Sequence, residues 1–318
     1  DRPAIKTQFF RDTPKKIINF NDSPDIGFSA SLNPYRGCEH GCVYCFARPT
    51  HEYFGLSSGL DFESKIFVKE DAPQLLRKEL NKRSWEPQVV VLGAATDPYQ
   101  PVERKLKITR RVLEVFLEFR NPLAIITKNN LVTRDIDILK ALNEYQCCAI
   151  NMSVTTLDRK LARIMEPRTS QPESRLKAIR ALTKEGIPVN AMIAPIIPGL
   201  NDHEIPRLLD AVYEAGAHSA AYVILRLPYA LKDLFEDWLQ RYFPDRKNKV
   251  LNRLRSIRGG KLYKSKWHTR MRGEGVFADQ IKQMFTTSYK KTGLADRRRP
   301  SLSVNHFRCA SGKQLTLF

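Results

Sequence analysis

The sequence predicts an α/β fold: an open, partial (β/α)6 barrel followed by a basic, mainly helical C-terminal extension. Three observations predict it. Short apolar, β-branched runs alternate with amphipathic helical patterns, the way successive parallel βα units read. Six such runs occur, too few to close an eight-stranded barrel. Beyond Pro228 the strand pattern fades and only helical segments remain.

The runs fall at residues 28–33, 89–95, 123–127, 149–154, 189–195 and 221–227 and are read as strands one to six. Helices are expected between them at 72–82, 107–119, 133–144, 173–185 and 202–215, and after them at 231–242, 245–258 and 275–291. Gly186 directly behind one helix, with Pro188 opening the next strand, is a stop-and-restart signal. The expected division is an N-terminal arm (1–28), the barrel core (29–230) and a basic helical region (231–318) that ends, after Gly293, in a basic tail. Parallel α/β arrays bind ligands at the carboxyl ends of their strands. The loops that start at Tyr35, Thr96, Lys128, Thr155, Ile196 and Pro228 are therefore expected around one site.

Composition narrows the class. Apolar residues make up 42% and charged residues 27% of 318, ordinary for a globular chain, and no apolar run approaches the roughly eighteen residues of a membrane span. The first ten residues carry charge without an apolar segment, so no secretory leader is expected there. Six cysteines are too few for a disulfide scaffold; three of them within eight residues point to a metal in a reducing compartment, by default the cytoplasm. The net charge is +19, and residues 241–318 hold 20 Lys and Arg against 4 Asp and Glu, so +16 of it lies there. Such an asymmetry suits a polyanion, because Lys and Arg gain affinity by releasing phosphate counterions.

Cys38, Cys42 and Cys45 are spaced C-x3-C-x2-C in the loop after strand one. Three thiolates can hold three irons of a [4Fe–4S] cubane and leave the fourth iron open to a substrate or cofactor. Gly37 and Gly41 let the backbone fold tightly around such a group. The alternative is a structural zinc site in which His40 or His51 completes the set.

With the aromatic Tyr44 placed just before the third cysteine, the loop resembles the signature of the radical S-adenosylmethionine (SAM) enzymes. The resemblance covers residues 29–227 and implies an enzyme whose [4Fe–4S] cluster binds SAM at the open iron and cleaves it to a 5′-deoxyadenosyl radical, with an electron-donor protein as partner. Tyr44 would pack on the adenine. After strand two the family's glycine-rich acidic motif is replaced by Thr96-Asp97-Pro98-Tyr99-Gln100-Pro101, similar to the branch that contains spore photoproduct lyase. Thr96 and Asp97 would accept from the SAM ammonium, or else cap a turn. Ser153, at the end of strand four, would meet the ribose. Arg168, in Glu166-Pro167-Arg168-Thr169, would neutralise the SAM carboxylate or form a structural ion pair. Ile196, in the strand-five segment Pro195-Ile196-Ile197-Pro198-Gly199, would line the adenine.

Similarity to the lyase branch implies repair-like radical chemistry on nucleic acid, which the basic C-terminal region favours independently. The lyase's hydrogen-donor cysteine on strand four has no counterpart, since Met152 and Ser153 stand there. Peptide or small-molecule substrates remain alternatives, as does a basic nucleic-acid-binding protein with a structural metal. The last five residues, Gln314-Leu315-Thr316-Leu317-Phe318, resemble the short peptide that docks into bacterial sliding clamps.

Overall fold

The computed structural model describes residues 6–298 and 300–309. Its strands are β1 (Gln8–Arg11), β2 (Ile18–Phe20), β3 (Ala30–Leu32), β4 (Tyr35–Arg36), β5 (Lys65–Val68), β6 (Val90–Leu92), β7 (Leu123–Thr127), β8 (Cys148–Ser153), β9 (Val189–Ile196) and β10 (Ser219–Ile224). Its helices are α1 (Leu60–Ser64), α2 (Ala72–Leu80), α3 (Glu103–Leu106), α4 (Ile108–Phe119), α5 (Ile136–Glu144), α6 (Arg159–Met165), α7 (Pro172–Lys184), α8 (Ile205–Glu214), α9 (Leu231–Tyr242), α10 (Pro244–Ser256) and α11 (Val276–Lys291).

The main sheet runs β10-β9-β8-β7-β6-β3-β2. From β3 to β10 every neighbouring pair is parallel, and only β2 is antiparallel. This is the open six-unit barrel that the alternating pattern predicts, with β2 as an added edge. The helices between the strands owe their positions to one apolar stripe each. In α4 the buried set Ile108, Val112, Val115, Phe116 and Phe119 recurs at helical spacing and faces the sheet. All six parallel strands end on the same side, so the loops after them share one rim.

A second sheet, β1-β5-β4, was not foreseen. β5 lies in the long connection after the cysteine loop, pairs parallel with β1 and antiparallel with β4, and so braces both ends of that loop. Strand six is shorter than predicted: its ladder to β9 ends at Ile224, and the Ile224 amide bonds Met271 O at 2.9 Å.

The stretch after Gly293, predicted as a basic tail, packs back onto the barrel as far as it is described. Leu294 is fully buried, Ser303 N bonds Gln146 O and Arg308 N bonds Phe119 O, both at 2.9 Å, and Phe307 stacks on Phe119 with ring centroids 6.3 Å apart. Two apolar anchors amid many cations hold it there, a pattern too sparse to read as structure. Gln314 to Phe318 lie outside the described residues. Among the described residues no helix is long and apolar enough to cross a membrane.

Candidate active site

The cysteine loop leaves β4 through Gly37, whose φ of 77° and close approach to Phe62 O leave no room for a side chain. Cys38 N then bonds Phe62 O at 2.9 Å, and Cys45 N and Arg48 N close turns on Cys42 O and Cys45 O. Two arginines clamp the loop. Arg48, buried, donates to Cys42 O at 2.9 Å and to Gly59 O at 2.7 Å, and Arg168 donates to Glu39 O. Both converge on the buried carboxylate of Glu63, at 3.6 Å and 2.8 Å. Arg168 thus makes an ion pair within the protein, its guanidinium engaged through Nε and Nη2.

Cys38 and Cys42 are buried and Cys45 is half-buried. Burial, then the charge of Glu166, pushes the Cys42 thiol up; burial and the charge of Cys38 push Cys45 up. A metal that binds here must displace those protons. The donor set fits a cubane cluster, which takes each thiolate at a separate iron. Among the described residues no three His, Cys, Asp or Glu side chains gather as a single ion requires. Both histidines have partners within the protein, and His40 also lies against the Cys38 thiol. His40 places Nδ1 3.4 Å from Asp97 Oδ2 and Nε2 3.2 Å from Asn129 Nδ2, while His51 Nε2 lies 3.0 Å from Lys65 O, against Phe62 and Phe67.

Asp97 is engaged on both oxygens. Oδ1 accepts from Tyr99 N at 2.9 Å and Thr127 Oγ1 at 2.7 Å; Oδ2 accepts from Lys128 N at 2.7 Å and faces His40. Burial opposes charge on both partners, yet each stabilises the other's ion: Asp97 is held below the usual carboxylate range and His40 is pushed up to about 10. Thr96 donates its hydroxyl to Tyr35 O at 3.1 Å, and its amide turns to Asn33 Oδ1. The Thr96-Asp97 pair therefore ties the ends of β6 and β7 to the cysteine loop.

Tyr44 lies among the thiols, with its hydroxyl donated to Glu166 Oε1 and 3.4 Å from Thr155 Oγ1. Glu166, fully buried, also accepts from Thr155 Oγ1 at 2.7 Å and pairs with the buried Arg175. Against the cost of burial, Arg175 and then Lys128 keep that carboxylate low. The Lys128 ammonium lies 5.8 Å from the centre of the Tyr44 ring and draws down Cys42, Cys45 and Glu166. It forms no ion pair among the described residues. Ser153 ends β8 with its backbone O held by Arg175 Nη1 at 3.1 Å, and Ile196 ends β9, buried, with its carbonyl taken by Leu225 N.

The rim thus gathers Cys38, Cys42, Cys45 and Tyr44 beside the polar cluster. Thr96, Asp97, Ser153, Arg168 and Ile196 surround it at the ends of the strands and in the loops between them, with both oxygens of Asp97 and the Nε and Nη2 of Arg168 partnered within the protein. Sequence reading missed Glu63, Glu166, Arg175 and Lys128. Lys128 had a usable signal, as the first residue past strand three; the others are charged residues inside helices or a loop, which periodicity reads as solvated.

The family model described as "Radical SAM superfamily" matches residues 32–212, the stretch from β3 into α8. An uncharacterized protein of Mycobacterium tuberculosis is 34% identical over 222 residues, covering 69% of this chain. One of Methanocaldococcus jannaschii is 30% identical over 199 residues, covering 63% of this chain and 71% of its own. This chain spans about 65% of the length of the mycobacterial relative. In fold it is similar to spore photoproduct lyase solved with a dinucleoside spore photoproduct, at a TM-score of 0.64, 17% identity, 89% coverage of this chain and 79% of the other. With more than half its length matched and the same core architecture, this chain belongs to the radical SAM superfamily, whose enzymes work with a [4Fe–4S] cluster and SAM.

Proposed function

We propose that this chain holds a [4Fe–4S] cluster through Cys38, Cys42 and Cys45, cleaves SAM reductively, and acts on nucleic acid. One observation carries the first part: the three cysteines lie near enough on one loop for their charges to act on one another, and that loop is clamped by Arg48 and Arg168 onto Glu63. When bound, the cluster supplies the electron that opens SAM. The protein's own work is positional. Asp97 and His40 hold the loop against β6 and β7, Glu166 fixes the Tyr44 ring, and Lys128 presents an ammonium where the SAM carboxylate can pair with it. Ser153 and Ile196 offer a hydroxyl and an apolar wall at the ends of the two neighbouring strands.

Charge supports the nucleic-acid reading, since +16 of the net +19 lies in residues 241–318. The three described cysteines outside the loop are turned to other partners: Cys147 Sγ lies 3.1 Å from Arg120 O, Cys148 Sγ lies 3.2 Å from Leu139 O of α5, and Cys309 lies beside Asn81. Repair-like chemistry on this chain would use a hydrogen donor other than a strand-four cysteine, where Met152 and Ser153 stand.

The test is anaerobic reconstitution with iron and sulfide, dithionite reduction with SAM, and chromatography for 5′-deoxyadenosine and methionine, with and without damaged DNA. Formation of 5′-deoxyadenosine by the wild type, and loss of both it and bound iron in Cys42→Ala, supports the reading. Tight zinc with intact SAM overturns it.

A further inference from the structure

Three cavities line up along the outside of α9 and α10. The first, about 380 Å³, opens between the cysteine loop and α9, with Gly41 and Val43 on one side and Trp238 and Tyr242 on the other. The second, about 540 Å³, shares Tyr242 with it and adds Phe243, Leu161 and Arg246. The third, about 460 Å³, shares His203 and Arg246 with the second and ends at Lys249 and Arg253. Shared lining residues set them side by side, and together they are called the trough. Its character changes along its length, from apolar and aromatic beside the cysteine loop to cationic on α10.

The cationic end is built on one helical face. Arg246, Lys249 and Arg253 are spaced three and four residues apart, so they stand in a row about 10 Å long. Gly199, in the loop after β9, lets α10 come close: a Cβ there would lie 3.3 Å from Arg253 Cδ and 3.6 Å from Lys249 Cγ. Arg246 and Lys249 are exposed and form no ion pair among the described residues, whereas Arg253 meets Asp202 at 3.3 Å. The acids along the trough mostly serve the protein. Glu204 accepts from Thr156 and Leu157 N, Asp158 caps α6, and Glu63 pairs with Arg48 and Arg168; Asp237 is exposed. Lys160 and Arg207 add exposed cations to the second cavity.

We infer that this trough binds the backbone of single-stranded nucleic acid, with phosphates on Arg246 and Lys249 and a base against Tyr242 and Phe243. The inference rests on the nucleic-acid reading above and adds the site to it. Cations in file beside aromatic walls are what sequence-tolerant binding of single strands requires. A duplex keeps its bases stacked away from such rings, and an acidic peptide would leave them without a stacking partner.

The experiment measures binding of a fluorescently labelled single-stranded DNA 12-mer to the full chain by anisotropy, across a salt series. Arg246→Ala/Lys249→Ala is compared with Lys282→Ala/Lys290→Ala, which removes two cations of α11 outside the trough. The expected result is a Kd raised on the order of tenfold in the first variant only. Its log–log salt slope should be shallower by about 1.4, two phosphates' worth for a single strand. SAM cleavage without substrate should be unchanged. Equal binding by the wild type and the trough variant, equal losses in both variants, or equally tight polyglutamate binding would overturn the trough. A wild type that binds duplex alone would overturn it while sparing the nucleic-acid reading, and one that binds no nucleic acid at all would remove both.

Discussion

The carboxylate of Glu166 and the guanidinium of Arg175, both sealed from solvent, form an ion pair that sets the position of Tyr44. Arg175 also reaches Ser170 O, Ser153 O and Thr169 Oγ1, so one side chain ties β8 to the segment that leads into α7. Removing one partner of such a pair leaves a buried charge uncompensated, at about 3–5 kcal/mol. Arg175→Met should lose that much in urea unfolding of the cluster-free protein. The double variant Glu166→Gln/Arg175→Met should lose less, and equal losses would show that the charge is not the reason.

Gly41 sits at φ +66°, and a Cβ there would fall 2.1 Å from Glu63 Oε2 and 2.9 Å from Arg168 Nη2. Gly41→Ala would push apart the clamp as well as strain the backbone, at about 1–3 kcal/mol. The expected outcome is a lower unfolding midpoint together with lower iron retention after gel filtration. Gly55→Ala also replaces a glycine of positive φ but meets nothing within 4 Å, so it should keep its iron.

Lys128 places a cation beside Cys42, Cys45 and Tyr44. If it pairs with the SAM carboxylate, Lys128→Met should raise the KM for SAM by roughly ten- to a hundredfold, the worth of about 1.5–3 kcal/mol for a hydrogen bond to a charged group. Iron content should stay unchanged. An unaltered KM would assign the ammonium to the loop alone.

Lys69 is buried and donates to Asn33 O at 2.7 Å. Burial, and then repulsion from Arg36, lowers it from the ordinary 10.5 to about 8. Between those values the unfolded chain holds a proton that the folded chain has released, so stability rises with pH. That gain, on the order of 3 kcal/mol, is complete only above the unfolded pKa. Lys69→Met should show no such rise between pH 8 and pH 10.5 when its unfolding free energy is followed beside the wild type's.

The six βα units were legible because parallel strands and their covering helices write strong periods: 123–127 is strand β7 to the residue, and 231–242 is helix α9. β1 and β5 were not legible, since their partners lie 57 residues apart and their exposed or alternating residues make no distinctive run. The C-terminal residues 294–308 misled for the opposite reason. Their cations dominate the composition, while Leu294 and Phe307 decide the packing.

The sequence by itself determined the barrel class, the placing of the three thiols after the first core strand, and the skew of charge toward the C-terminus. These are properties of spacing and composition. Only the tertiary structure decided what the charged residues do. Asp97 and Arg168 bind within the protein, Glu63 and Glu166 become the buried centres of two ion-pair networks, and Arg246 and Lys249 remain exposed. A charge takes its role from what folds against it, and partners more than a hundred residues away, as Glu63 is from Arg168, leave no local pattern.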